Sequence, residues 1–305
     1  MEKVLITGIA GGQGRLLARR LLENYEVCGV DRVAWEGHPS EITVHNVDLR
    51  KKRFEDVIRT EQPTVVVHMG FIRHFRVADR ERHDVNVRGT KQLLDHCVNH
   101  GVQSLVVLSS SYVYGAFPEN PYFMDEDAPL SASRSYPEIR DLVEVDTLVT
   151  SYLWRFPHLR TCVLRPVNVL GYYVHSMIGS YLREARVPTV MGFDPMMQFI
   201  HEEDVSEAIA LALDHRLQGV FNLAGPGEVP LHTAIRETGG KSLAVPEPLM
   251  RPLFARAFRW GVIPYPPGAI DYLKYPITVS GERFVEATNF RPLFNLEEIF
   301  QSLRR

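Results

Sequence analysis

Two groups of residues in this chain have types and spacings that could do chemistry. In TGIAGGQG (7–14), Gly8, Gly11 and Gly14 stand between the apolar run KVLITG (3–8) and the amphipathic stretch GRLLARRLLEN (14–24). Without side chains, Gly8 and Gly11 let backbone amides approach a pyrophosphate, and a helix beginning near Gly12 aims its positive end at the same point. Gly14 then permits close packing of that helix on the strand. Asp31 closes the next apolar run, YEVCGVD (25–31). A carboxylate there can accept from ribose hydroxyls and repels a 2′-phosphate, which predicts NAD over NADP, although the neighbouring Arg32 could accommodate the extra phosphate. The second group lies in SASRSYPEIRDLVEVD (131–146), where Tyr136 precedes Arg140 by four residues. Ser135 and Glu138 have the spacing of a capping box and Pro137 suits a first helical turn, so a helix starting there would place Tyr136 and Arg140 on one face.

Both groups need a scaffold, and the rest of the first half supplies one. Short apolar runs, TVVVHMG (64–70), SLVVLSS (104–110) and TCVLRPVNVL (161–170) among them, alternate with helical patterns such as VRGTKQLLDHCVNHG (87–101) and RDLVEVDTLVTSYLWRF (140–156). Alternation of this kind predicts an α/β fold, a Rossmann-like doubly wound parallel sheet with a smaller C-terminal substrate lobe. We assign residues 1–171, with about 199–219, to the dinucleotide-binding domain, and about 172–198 and 220–305 to the substrate lobe. The formal net charge of −3 excludes a broad attraction to nucleic acid or an anionic membrane, leaving a small molecule as the expected partner. No apolar run reaches the roughly 18 residues of a membrane span, and the N-terminus lacks the apolar core of a secretory signal, so a cytoplasmic location is expected. Cys28, Cys97 and Cys162 are far apart in apolar segments and read as buried thiols; no metal site is expected.

The glycine spacing is the T-G-x-x-G-x-x-G of the extended short-chain dehydrogenase/reductase family, and further segments resemble that family in order: VDL (47–49), HMGF (68–71), NVRGT (86–90), SSSYVYG (109–115), RPVNVLG (165–171) and FIHEEDVSEAI (199–209). The resemblance implies a Rossmann-like domain for NAD(P), epimerase, dehydratase or reductase chemistry, and a homodimer through helices 87–100 and 140–156. It puts the cofactor on Gly8, Gly11, Gly12, Gln13, Gly14, Asp31, Arg32, Asp48, Leu49, Met69, Gly70, Phe71, Asn86, Ser109, Tyr136, Arg140, Pro166 and Val167. Asp48 would contact the adenine, and Phe71 is bulkier than the alanine that members of the family carry.

The resemblance also assigns catalytic roles to Ser110, its neighbour Ser111, Tyr136 and Arg140. Ser110 would hydrogen-bond the reacting oxygen and Tyr136 would take the carbinol proton as hydride leaves. A free tyrosine has a pKa near ~10, so a cation must stabilise its phenolate. The family uses a lysine four residues on, where this chain has Arg140. A fixed charge about 5 Å away at an effective dielectric of ~20 is worth roughly 3 kcal/mol, which supplies the electrostatic part of that role. Arginine cannot relay a proton, so slowed turnover is expected.

The substrate stays open at this level. Arg183, Arg186, Arg283 or Arg291 could meet the diphosphate of a nucleotide sugar, the commonest family outcome. Met177, Met191, Met196 and Met197 suit a less polar alcohol or ketone, or core filling. A non-catalytic NAD(H)-binding regulator is the third reading. His68 is expected to pack, and His201 and Asp204 to fix a loop and cap the helix that follows.

Overall fold

The computed structural model describes residues 1–304. Its strands are β1 Glu2–Thr7, β2 Tyr25–Asp31, β3 Thr43–Asn46, β4 Val65–His68, β5 Ser104–Leu108, β6 Arg160–Pro166, β7 Asn168–Leu170, β8 Arg186–Val190, β9 Met196–His201, β10 Gly219–Leu223, β11 Glu228–Pro230 and β12 Lys241–Val245. Its helices are α1 Gly12–Leu21, α2 Lys52–Glu61, α3 Asp79–His83, α4 Gly89–Asn99, α5 Arg140–Arg155, α6 Met177–Leu182, α7 Glu202–Asp214, α8 Leu231–Glu237, α9 Glu247–Arg259, α10 Glu282–Thr288 and α11 Leu296–Ser302.

Seven strands pair in parallel in the order β10-β6-β5-β4-β1-β2-β3. The central strands read as continuous apolar runs because both sheet faces are covered, and all four residues of β4 are buried. Side chains of one parity, such as Val4, Ile6, Val67 and Val106, pack with Leu17 and Leu21 of α1 and Ile209 of α7. The other parity, including Leu5, Val66 and Val107, meets Phe54 of α2, Leu93 and Cys97 of α4, and Val149 of α5. All three cysteines are buried free thiols.

The order of strands reverses between β1 and β4, and at such a switch point a crevice opens beyond the carboxyl ends. The backbone there is close: a Cβ on Gly8, whose φ is +74°, would lie 2.8 Å from the Cα of Gly70. The smaller lobe carries its own core, with Ile178 and Leu182 of α6, Phe254 of α9 and Ile299 of α11. β8 and β12 pair in parallel within it. β10 pairs with β6 at the edge of the large sheet, so the boundary expected at residue 220 falls inside a strand of the first domain. Phe284 of α10 likewise packs on Phe221 of β10.

Candidate active site

The cofactor end of the crevice is made by backbone. A Cβ on Gly14 would overlap the Gly8 carbonyl, so α1 can sit this close to β1 only through a glycine. No side chain caps the N-terminus of α1, and its first turn holds no acid. Its amides and positive dipole end are therefore free for an anion. Asp31 is held at the end of β2 by the Ala10 and Val33 amides, each donating at 3.0 Å. These features fit NAD: the α1 amides would hold its pyrophosphate and Asp31 its adenosine ribose. The arrangement defines a dinucleotide-binding Rossmann protein.

The sequence profile of the NAD dependent epimerase/dehydratase family matches residues 4–224, and the chain belongs to that family. Its chemistry is of the NAD-dependent oxidoreductase type. An uncharacterized protein of Mycobacterium tuberculosis is 28% identical over 257 residues, 80% of this chain and 67% of the relative. Among solved structures, the UDP-glucose 4-epimerase of Thermus thermophilus in complex with NAD superposes with a TM-score of 0.78 at 23% identity, over 99% of this chain and 97% of that one. The dTDP-glucose 4,6-dehydratase DesIV of Streptomyces venezuelae, also solved with NAD, gives 0.79 at 18% identity, over 99% and 96%.

Several expected cofactor contacts are engaged elsewhere. The side chain of Gln13 donates to Glu202 O (2.9 Å) and Ser206 Oγ (2.8 Å), which ties α1 to α7. Asp48 accepts from Arg50 at 2.6 Å, and Arg50 holds Asp84 as well, so the Asp48 carboxyl lies below its usual range with Arg50 as the main cause. Leu49 is buried and borders Gly89. Arg32 is a partly exposed side chain 3.9 Å from Glu81. Asn86 is buried, exchanging hydrogen bonds with the backbone of Ile72 (2.8 and 2.9 Å) and donating to Asp141 (2.5 Å); it braces the loop after β4. Gly12 lies beneath the Tyr173 carbonyl, where the Glu202 carboxylate holds the amides of Tyr173 and Val174. Gly11 is the N-cap of α1. Met69, Gly70 and Phe71 line the β4 end, where Thr7 Oγ1 accepts from the amides of Met69 (3.2 Å) and Gly70 (3.1 Å). Pro166 ends β6 and Val167 is buried beside it.

The reaction end is assembled differently from the sequence expectation. Tyr136 is fully buried. Its hydroxyl donates to Met177 Sδ at 3.6 Å, and its ring packs on Phe75 and Tyr272. Burial, then the Glu138 charge, pushes its pKa well above the ordinary value, and the opposing cation is Arg82. The expected capping box is absent: Pro137–Ile139 form a short 3₁₀ turn with no side-chain cap, and α5 begins only at Arg140. Tyr136 and Arg140 therefore do not share a helical face. Arg140 is 72% exposed and donates to Glu144 at 2.7 Å.

A buried network explains this register. Ser109 Oγ donates to Asp146 (2.5 Å), and Arg165 grips the same carboxylate at 2.7 and 3.0 Å. Arg165 continues to Tyr114, and Tyr114 to Asn222. Ser109 is thus structural. One turn before Asp146, on the same face, stands Leu142, packed against both cores. Arg140 is about 200° around the helix from Leu142 and so faces water. Ser111 is buried, whereas Ser110 keeps access at the end of β5 and accepts from the Tyr112 amide at 3.2 Å.

Sequence reasoning missed Arg73. Its guanidinium donates to Leu108 O at 2.6 Å, with Ser109 O at 3.4 Å, and lies 5.7 Å over the ring of Phe71. The side chain is exposed to solvent and its guanidinium stays charged. His68 nearby is buried between Thr7 (2.6 Å) and Thr90 (2.9 Å). Thr7 accepts two amides and donates its own hydrogen to Nδ1, and Thr90 donates to Asn86 O, which fixes the neutral Nε2–H tautomer. Burial and then the Arg73 charge push His68 down to about 3. His201 Nδ1 accepts from the Glu203 amide as the N-cap of α7, and Asp204 accepts from Leu293.

Proposed function

We propose that the protein acts with NAD at a carbinol or keto carbon of a nucleotide sugar, with the reacting oxygen beside Ser110 and Arg73. The observation that supports this reading is the uncapped N-terminus of α1 behind Gly8, with Ser110 and the Arg73 guanidinium at the carboxyl end of β5. NAD, when bound, supplies hydride acceptance or donation. Ser110 donates a hydrogen bond to the substrate oxygen, and Arg73 stabilises the negative charge that develops on it. Arg73 thereby takes the electrostatic role expected of Arg140. Tyr136, held protonated by its burial, would exchange the proton of the reacting oxygen: it gives its proton to the alkoxide when hydride arrives and takes the proton back when hydride leaves.

Calorimetric titration with NAD⁺ and NADP⁺ tests the cofactor, and thermal shifts with uridine and thymidine diphosphates test the substrate class. Arg73→Ala is expected to lower turnover by about 100-fold with NAD affinity little changed; loss confined to Arg140→Ala would overturn the assignment. A second reading, reduction of a less polar ketone, is favoured by the apolar character of the side chains around Tyr136, namely Tyr112, Met177, Tyr181, Phe254 and Tyr272. NADH oxidation across apolar ketones, with no response to nucleoside diphosphates, would support it. We also propose a cytoplasmic homodimer, supported by the exposed Trp154 on α5; light scattering of the eluted protein tests the subunit number.

A further inference from the structure

Away from the cleft, on the sheet face opposite α1, three potential ligands converge from two helices. His96 and His100 stand four residues apart at the C-terminal end of α4, and Glu55 lies in the first turn of α2. One ligand atom from each falls within 4.8 Å of the others. His100 Nε2 is 3.5 Å from Glu55 Oε1, close to the separation of two donors on a tetrahedral ion with bonds of ~2.0–2.1 Å.

We propose that Glu55, His96 and His100 form a divalent-metal site of the zinc class that clasps α2 to α4. Two imidazoles and one carboxylate suit Zn²⁺ with water in the fourth position, and do not suit Ca²⁺ or Mg²⁺, which take oxygen ligands. The set is partly preorganised, since the edge of Phe54 packs on the His96 ring at 5.8 Å and the two imidazoles lie 6.0 Å apart. His100 is exposed, which leaves a path for the ion. Burial lowers the pKa of His96, with Glu55 acting against it. Asp95 is occupied by Lys91 and Tyr152 and is not counted as a ligand. The negative dipole end of α4 further favours a cation at this position.

The test uses the full chain without a histidine tag, stripped with chelator and titrated with Zn²⁺ in a calorimeter and by melting temperature. One ion per chain and a Zn²⁺-dependent rise in melting temperature are expected, with Co²⁺ giving visible bands of a tetrahedral site. His96→Ala and His100→Ala should each weaken binding at least about tenfold, and Glu55→Gln roughly tenfold, while the metal-free melting temperature stays near that of the parent. Equal Zn²⁺ uptake by the His96→Ala/His100→Ala double variant, or no uptake by the parent, overturns the proposal.

Discussion

The two ends of the crevice are built on opposite principles. At the α1 end, the geometry rests on what is missing: side chains at Gly8 and Gly14, a cap on α1, an acid in its first turn. At the reaction end it rests on buried charge, with Asp146 and Arg165 fixing how α5 lies against the serines after β5. Backbone geometry of the first kind depends on few residues close in sequence. The second kind depends on pairs tens of residues apart, so a change of one partner moves everything the helix presents.

This contrast can be broken most forcefully at Asp146. Asp146→Ala leaves Arg165 buried without its partner and is expected to cost about 3–5 kcal/mol in urea denaturation, while any protein that remains folded should keep its stabilisation by NAD. Gly8→Ala should do the reverse. Left-handed strain and overlap with Gly70 together cost about 3 kcal/mol, and the thermal shift with NAD should vanish even where the chain stays folded.

A pH series probes the contact between the two ends, where His68 sits against Thr7 and Thr90. Its pKa is about 3 when folded and ~6.5 when unfolded, so below pH ~6.5 the unfolded chain binds a proton that the folded one does not. Stability should fall by up to ~1.4 kcal/mol per pH unit as pH drops towards 3, giving roughly 2 kcal/mol between pH 6.5 and 5. Urea midpoints should show a shallower slope for His68→Gln. Smallest of all, Arg140→Ala and Arg140→Lys should change stability by less than about 0.5 kcal/mol, because the Arg140–Glu144 pair is exposed. Restored turnover in Arg140→Lys would show that α5 can turn Arg140 into the cleft, and would remove the distinction between the two ends.

The alternation of apolar runs and helical patterns was enough to read the parallel sheet, because strands covered on both faces have no polar positions to mislead. The glycine turn between β1 and α1 and the place of Asp31 at the end of β2 were legible for the same reason: strand, turn and helix are contiguous. Tyr136 and Arg140 misled because spacing within a helix was assumed from a capping box that does not form. A 3₁₀ turn precedes α5, and the contact between Ser109 and Asp146 rotates Arg140 outward. Gln13 and Asn86 stand in motif positions, but their amides serve neighbouring segments, which no local pattern reveals.

By itself the sequence determined the fold class, the glycine turn from β1 into α1 and the expectation of NAD, since each follows from residues adjacent in the chain and from the steric freedom of glycine. Only the tertiary structure decided which charges come together. Arg73 lies at the end of β5 because its loop folds back onto the carbonyls of Leu108 and Ser109, and Glu55 meets His96 and His100 because two helices pack side by side. Long-range juxtapositions of this kind are set by the packing of whole elements, and no spacing along the chain encodes them.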